Sequence, residues 1–209
     1  MGIVTRTVAA LYVQTGGSYY GLPDVDPWDE KRDARLYPGP HPVVAHPPCS
    51  RWCQLAHVNQ RRYGHKVGDD GGCFAAALES VRSCGGVLEH PAYTYAWERF
   101  GIARPSRWCW TRDMMSDCAG GMRAWVTEVS QSAYGHAARK RTWLYLVTAG
   151  EPPDLDWRDD PGTHWCGNAD GSGYPPGHPK RKPTLGKAAA LKTPVAFRDA
   201  LINMARNAR

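Results

Sequence analysis

Cys49 is the residue whose setting first suggests chemistry, because it follows Pro47-Pro48 directly and precedes Ser50-Arg51-Trp52-Cys53. A rigid dipeptide fixes how a thiol is presented, and the nearby Arg51 or backbone donors are expected to lower its pKa and favour the nucleophilic thiolate. Forty residues further on, Glu89 stands near the end of the run Val87-Leu88-Glu89-His90-Pro91. A carboxylate there could hydrogen-bond a ring nitrogen and act as an acid. Arg139 and Arg141 flank Lys140 in a basic turn and could hold a phosphate or fix the carboxylate. Each of these has a plainer reading taken singly: a packed thiol, a surface carboxylate, a solvated turn. Their recurrence after successive strands is what makes one site of them.

The elements that would position these groups are legible as short apolar runs between breakers. Val8 to Val13 reads as a buried strand ended by Gly16-Gly17, and Pro42 to His46 as a second strand stopped by Pro47-Pro48. Asp69-Asp70-Gly71-Gly72 offers a helix start, Phe74, Ala77, Leu78 and Val81 recur at helical spacing, and Gly85-Gly86 ends the helix before the strand Val87 to His90. Strand, helix and strand joined by short turns predict a βαβ unit in a parallel sheet, where ligands bind beyond the carboxyl ends of the strands. Tyr19 to Pro42 reads mostly as loop with one short helix around Pro27 to Leu36, and Ser50 to Gly68 as a basic loop. Tyr93 to Phe100 is expected to be helical. Trp125 to Gln131 and Thr142 to Thr148 read as paired strands. Residues 151–193 are irregular and 194–208 form a closing amphipathic helix, giving one domain over 1–209.

Composition narrows the class of protein. The 209 residues carry a formal net charge of +6, which suits a polyanionic partner without demanding one. Nine Trp and ten Tyr against three Phe supply rings able to stack on bases as well as to fill a core. The N-terminus has neither the basic start nor the long apolar stretch of a leader, and no membrane span is read, so a cytoplasmic location is expected. Seven cysteines, an odd number in a chain of this size, suggest reduced thiols. Cys109, Cys118, His164 and Cys166 lack the close paired spacing of a zinc knuckle, and no metal is expected.

The motifs, in their order, resemble those of cytosine-5 DNA methyltransferases. His46-Pro47-Pro48-Cys49-Ser50 is similar to that family's Pro-Pro-Cys motif, Val87 to Pro91 to its Glu-Asn-Val strand end, and Tyr134 to Arg141 to its Gly-x-Pro-Gln-x-Arg-x-Arg turn. Leu11 to Leu22 resembles its Gly-rich cofactor segment. The resemblance covers residues 10–148 and implies a Rossmann-like α/β methyltransferase fold. It implies that Cys49 attacks C6 of a pyrimidine, that Glu89 contacts the ring as acid, and that Arg139 and Arg141 support it. It further implies S-adenosyl-L-methionine held by Tyr12, Gly16, Gly17, Asp26 and Pro47, with Pro48, Ser50, Arg51, Trp52 and His90 on the substrate, and DNA as partner. A base taken from duplex DNA must be flipped out, and Trp52, His57 or Tyr63 could fill the gap.

The chain departs from the family in ways that bear on function. Ala10 and Gln14 stand where an acid and a glycine are usual, His90 replaces the asparagine and Ala137 the glutamine. Only about 31 residues separate Gly17 from Pro48, so the half of the sheet that holds the cofactor is expected to be reduced, with Asp24, Asp26 and Asp29 the nearby acids for a ribose. About 60 residues follow Val147, too few for a target-recognition domain. Three functions stay open: a DNA pyrimidine C5-modifying enzyme using this or another one-carbon donor, a cofactor-free module that binds DNA or a DNA-processing partner, and an enzyme acting on a free pyrimidine nucleotide. A compact DNA-modifying protein of the first kind would suit a bacteriophage.

Overall fold

A computed structural model describes residues 6–116, 118–166, 174–175 and 177–209. The first five residues, part of the N-terminal reading, and parts of the segment 151–193 lie outside the described residues. Seven strands form one mixed sheet: β1 (Val8–Leu11), β2 (Val25–Trp28), β3 (Val43–Ala45), β4 (Gly86–Pro91), β5 (Thr111–Asp113), β6 (Arg123–Ser130) and β7 (Arg141–Thr148). Their spatial order is β2-β1-β3-β4-β7-β6-β5. The pairs β1–β2, β1–β3 and β3–β4 are parallel, whereas β4–β7, β7–β6 and β6–β5 are antiparallel. The expectation of a mostly parallel sheet therefore holds for the first four strands, and the expected antiparallel hairpin of β6 and β7 completes the second half. Because β7 is reversed between them, β6 runs in the direction of β4, and both end at the same edge of the sheet.

Alternation along the strands assigns each side chain to a face. Ala9, Leu11, Val43, Ala45, Leu88, Tyr145 and Val147 pack with Phe74, Ala77, Leu78 and Val81 of α2 (Cys73–Cys84) and Trp97 of α3 (Tyr95–Arg99). Val8, Ala10, Val44, Val87, Leu144 and Leu146 pack on Phe197, Leu201, Ile202 and Ala205 of α5 (Val195–Arg206). Helices thus cover both faces, as a largely buried sheet requires. Gly86 opens β4 at φ 116, and a Cβ there would lie 2.0 Å from the Val43 carbonyl oxygen, so only glycine permits β3 and β4 to pair at this point.

Four elements differ from the sequence expectations. The expected helix around Pro27 to Leu36 is instead the edge strand β2 followed by a single 3-10 turn at Ala34–Leu36. Pro27 within a four-residue strand hides its pattern, and an edge position tolerates the missing donor. The basic loop after Cys49 contains α1 (Ala56–Tyr63), and Lys187–Leu191 forms the short α4. β5, with only three residues, has no readable period.

Candidate functional site at the strand ends

The carboxyl ends of β1, β3, β4 and β6 and the start of β7 meet at one sheet edge. The β3–β4 register pairs Ala45 with Leu88, which sets His46 level with Glu89 one step further. Alternation then turns both side chains to the α5 face, and His46 Nδ1 donates to Glu89 Oε2 at 2.9 Å. Behind it, Tyr19 Oη lies 2.8 Å from His46 Nε2. On the other side, Gln131 Nε2 donates to Glu89 Oε1 at 3.1 Å and to Thr142 Oγ1 at 2.9 Å. Both oxygens of a buried carboxylate are thus held by donors. Burial raises the Glu89 pKa, but the His46 hydrogen bond and charge, with Lys140 and His90, outweigh it and hold the carboxyl below its ordinary value.

Cys49 follows the buried Pro47 and the exposed Pro48, and its carbonyl accepts from the Trp52 and Cys53 amides at 2.9 Å each. This turn holds a half-buried thiol flanked by exposed Ser50. Burial pushes the Cys49 thiol up, the Glu89 and Cys53 charges add to the rise, and its own backbone donor and Lys140 only partly oppose it. The expected lowering by Arg51 is therefore corrected: Arg51 does not figure among the charges acting on the thiol, and the resting group is the neutral thiol. Glu89 is corrected in the complementary sense, since the resting carboxyl is ionised rather than poised as an acid.

The two arginines also move. Arg141 alternates onto the α2 face, opposite Glu89, where its guanidinium pairs with Glu128 and bonds the Tyr93 hydroxyl. Glu128 accepts there from Trp143 Nε1 at 2.8 Å as well. Arg139 is bound to Asp159, with Nε to Oδ1 at 2.6 Å. Lys140, between them, is the cation whose charge reaches both Cys49 and Glu89. The sequence named the turn but not the residue in it whose charge reaches the carboxylate, because the phase of alternation depends on where β7 begins.

His90 is likewise not placed to touch a substrate, and Trp52 is held almost wholly within the core. His90 alternates away from Glu89 into the core, is fully buried between the Phe74 and Trp97 rings, and shares a 2.8 Å hydrogen bond with Thr94 Oγ1. Burial lowers its pKa to about 4, so it is neutral. Trp52 is 5% exposed, packs on Phe74 and Phe100, and donates from Nε1 to Asp70 Oδ2 at 2.7 Å. The same Asp70 oxygen accepts from the Phe74 amide at 2.8 Å, so one carboxylate ties the Cys49 loop to the start of α2. Tyr63 on α1 is exposed, and an open groove of about 490 Å3 is lined by Trp52, His57, Lys66, Asp69, Tyr95 and Arg99.

The expected cofactor residues do not suit an adenosine donor. Gly16 (φ 65) and Gly17 shape a tight turn in which the Gly17 amide donates to the Gln14 carbonyl at 2.8 Å. Tyr12 packs on the α2 side of the core, among the charges of Cys73, Asp33 and Asp70. Asp26 lies within β2, where Arg32 Nη1 at 2.5 Å and Trp28 Nε1 at 2.8 Å take its oxygens. Asp29, just past β2, is the acid that the strand end would offer to a ribose. It is 4% exposed and accepts from Thr15 Oγ1, Tyr20 Oη and the Lys31 and Arg32 amides. These bonds lower its pKa to about 2 without leaving an oxygen for a ribose diol. The residues present therefore do not fit S-adenosyl-L-methionine.

His46, Gln131, Tyr19 and Lys140 are the site residues that sequence reasoning missed. The signal for His46 was its place one residue beyond a strand that pairs with the Glu89 strand. Gln131 carried a weaker one, as a polar residue ending an alternating strand. No protein-family model, curated protein or solved structure matches the chain.

Proposed function

We propose that the chain is a DNA pyrimidine C5-modifying enzyme in which Cys49 adds to C6 of the base and Glu89 serves the ring. The observation that carries this reading is the placement of a half-buried thiol and a doubly held carboxylate at the ends of adjacent parallel strands. Conjugate addition needs both at once. The sulfur forms a bond to C6, the C5=C6 electron pair moves towards the ring nitrogen N3, and a proton must arrive there. The sheet supports a Rossmann-like methyltransferase fold with the cofactor half reduced to the single strand β2 outside β1. DNA as substrate is supported by the net charge of +6 and by the groove next to the Cys49 loop, where Lys66 and Arg99, with His57, stand against the one acid Asp69.

The misfit of the adenosine site bears on the donor. The C5 acceptor chemistry stands without it, and a one-carbon donor lacking a ribose diol would answer the observed Asp26 and Asp29. The same misfit favours a second reading, a cofactor-free module that binds DNA without altering it. The two are separated with oligonucleotides carrying 5-azacytosine, whose ring nitrogen makes C6 more electrophilic and removes the need for a donor. An enzyme forms a denaturant-resistant protein–DNA adduct that Cys49→Ala abolishes, whereas a binding module forms none. Comparable adduct formation on the free nucleotide would move the substrate from DNA to nucleotides.

A further inference from the structure

The chain Tyr19–His46–Glu89 is a line of hydrogen bonds running inward from the loop after β1 to the carboxylate of the site. We infer that His46 is a positioning residue that holds the proton Glu89 passes to the pyrimidine ring, with Tyr19 fixing which imidazole nitrogen faces the carboxylate. This rests on the proposed base chemistry and adds to it the source of the proton.

The geometry supplies the reason. Nδ1 faces a carboxylate oxygen and must carry a hydrogen, so the imidazole is oriented to donate from Nδ1 to Glu89. Nε2 faces only the Tyr19 hydroxyl, which accepts from a protonated ring or donates to a neutral one. The hydroxyl therefore accommodates both states without moving the ring. Gln131, which does not titrate, holds the second carboxylate oxygen and leaves His46 as the proton partner. The charged groups around the pair are Lys140 and Cys49 on the site side, and Arg198 and Asp199 of α5, which act on Tyr19.

The step balances with solvent water as the one co-reactant. A protonated His46 gives its Nδ1 proton to Glu89 Oε2, and Glu89 gives a proton to N3. The Cys49 thiol loses its proton to solvent water as the sulfur forms the S–C6 bond, the C5=C6 pair becomes the C4=C5 bond of an enamine, and the C4=N3 pair takes the proton at N3. In deuterium oxide a solvent deuteron adds to C5 of the enamine and a water molecule takes the original C5 hydrogen, after which the N3 proton returns through Glu89 to His46, the S–C6 bond breaks and the base is restored carrying deuterium at C5.

His46→Asn keeps an amide donor where Nδ1 stood but carries no titrating proton, and Tyr19→Phe removes only the hydroxyl. With cytosine-containing DNA, His46→Asn is expected to slow C5 exchange about a hundredfold, leave KM for DNA unchanged, and erase the limb of the pH profile that depends on a protonated base. Exchange within twofold of wild type with the same profile would overturn the inference. The second arm is independent of catalysis: isotope-edited NMR follows the Glu89 carboxyl carbon and the His46 ring nitrogens. Coupled titration of the two, altered by Tyr19→Phe, supports the inference even if wild type shows no exchange, in which case it is the base chemistry that fails. Independent titration overturns the inference whatever the exchange result. Tyr19→Phe also serves if His46→Asn does not fold.

Discussion

Glu89 and His90 are neighbours in sequence and opposites in environment. Glu89 keeps its charge in a buried place because His46 and Gln131 each hold one of its oxygens. His90, one residue on, points to the other face, is packed among rings beside Thr94, and loses its charge to burial instead. This difference has a measurable consequence. The folded His90 pKa is about 4 against 6.5 for the free side chain. Below pH 6.5 the unfolded chain takes up a proton that the folded chain refuses, so stability falls as pH falls from 6.5 towards 4, by on the order of 3 kcal/mol if the shift acts alone. Glu89 acts in the same sense at lower pH, since a depressed carboxyl stabilises above its unfolded value and loses that contribution as it is protonated. Urea unfolding of wild type and His90→Asn at pH 7.5 and pH 5 checks this: the variant should show a clearly shallower loss. An equal loss in both would show that His90 does not set the slope.

At the scale of elements, Asp70 does two tasks with one carboxylate. It accepts from the Phe74 and Gly72 amides at the start of α2 and from the Trp52 indole in the Cys49 loop. Losing the cap costs about 1 kcal/mol, and stranding a buried indole donor adds on the order of 1–3 kcal/mol. Asp70→Ala is therefore expected to destabilise by roughly 2–4 kcal/mol in urea unfolding and to make Cys49 react faster with iodoacetamide, as the loop loosens. A loss below 1 kcal/mol would remove Asp70 from this role. The sequence already showed the helix and its start, because Phe74, Ala77, Leu78 and Val81 carry a strong period and Asp69-Asp70-Gly71-Gly72 precedes it. It showed the Cys49 and Glu89 strand ends for the same reason, since prolines punctuate both. What stayed hidden was register. The partners of Glu89 stand just past the ends of β3 and β6, with Tyr19 behind His46 in the loop after β1, and no local pattern tells which residue of one strand lies level with which residue of another. The edge strand β2 was hidden too, its Pro27 and its one-sided pairing leaving no alternation to read.

At the scale of the whole molecule, the sheet is intact where the base would be handled and abbreviated where a cofactor would lie. β2 is the outer strand on that side, and Asp26 within it and Asp29 just past it are committed to Arg32, Trp28, Thr15 and Tyr20. Titration calorimetry with S-adenosyl-L-methionine is accordingly expected to show no binding in the micromolar range, and binding at that strength would mean that Asp29 releases its partners to a ribose. Among the described residues no helix is long and apolar enough to cross a membrane. The abbreviated half does not touch the central claim, which concerns one sulfur atom. Cys53 is the control the fold provides, being half-buried and four residues from Cys49 in the same turn. The most direct measurement is peptide mass mapping of the protein after reaction with a 5-azacytosine oligonucleotide. A nucleotide adduct on Cys49, with Cys53 unmodified, is the result this account predicts. An adduct on Cys53, or one that persists in Cys49→Ala, would contradict it.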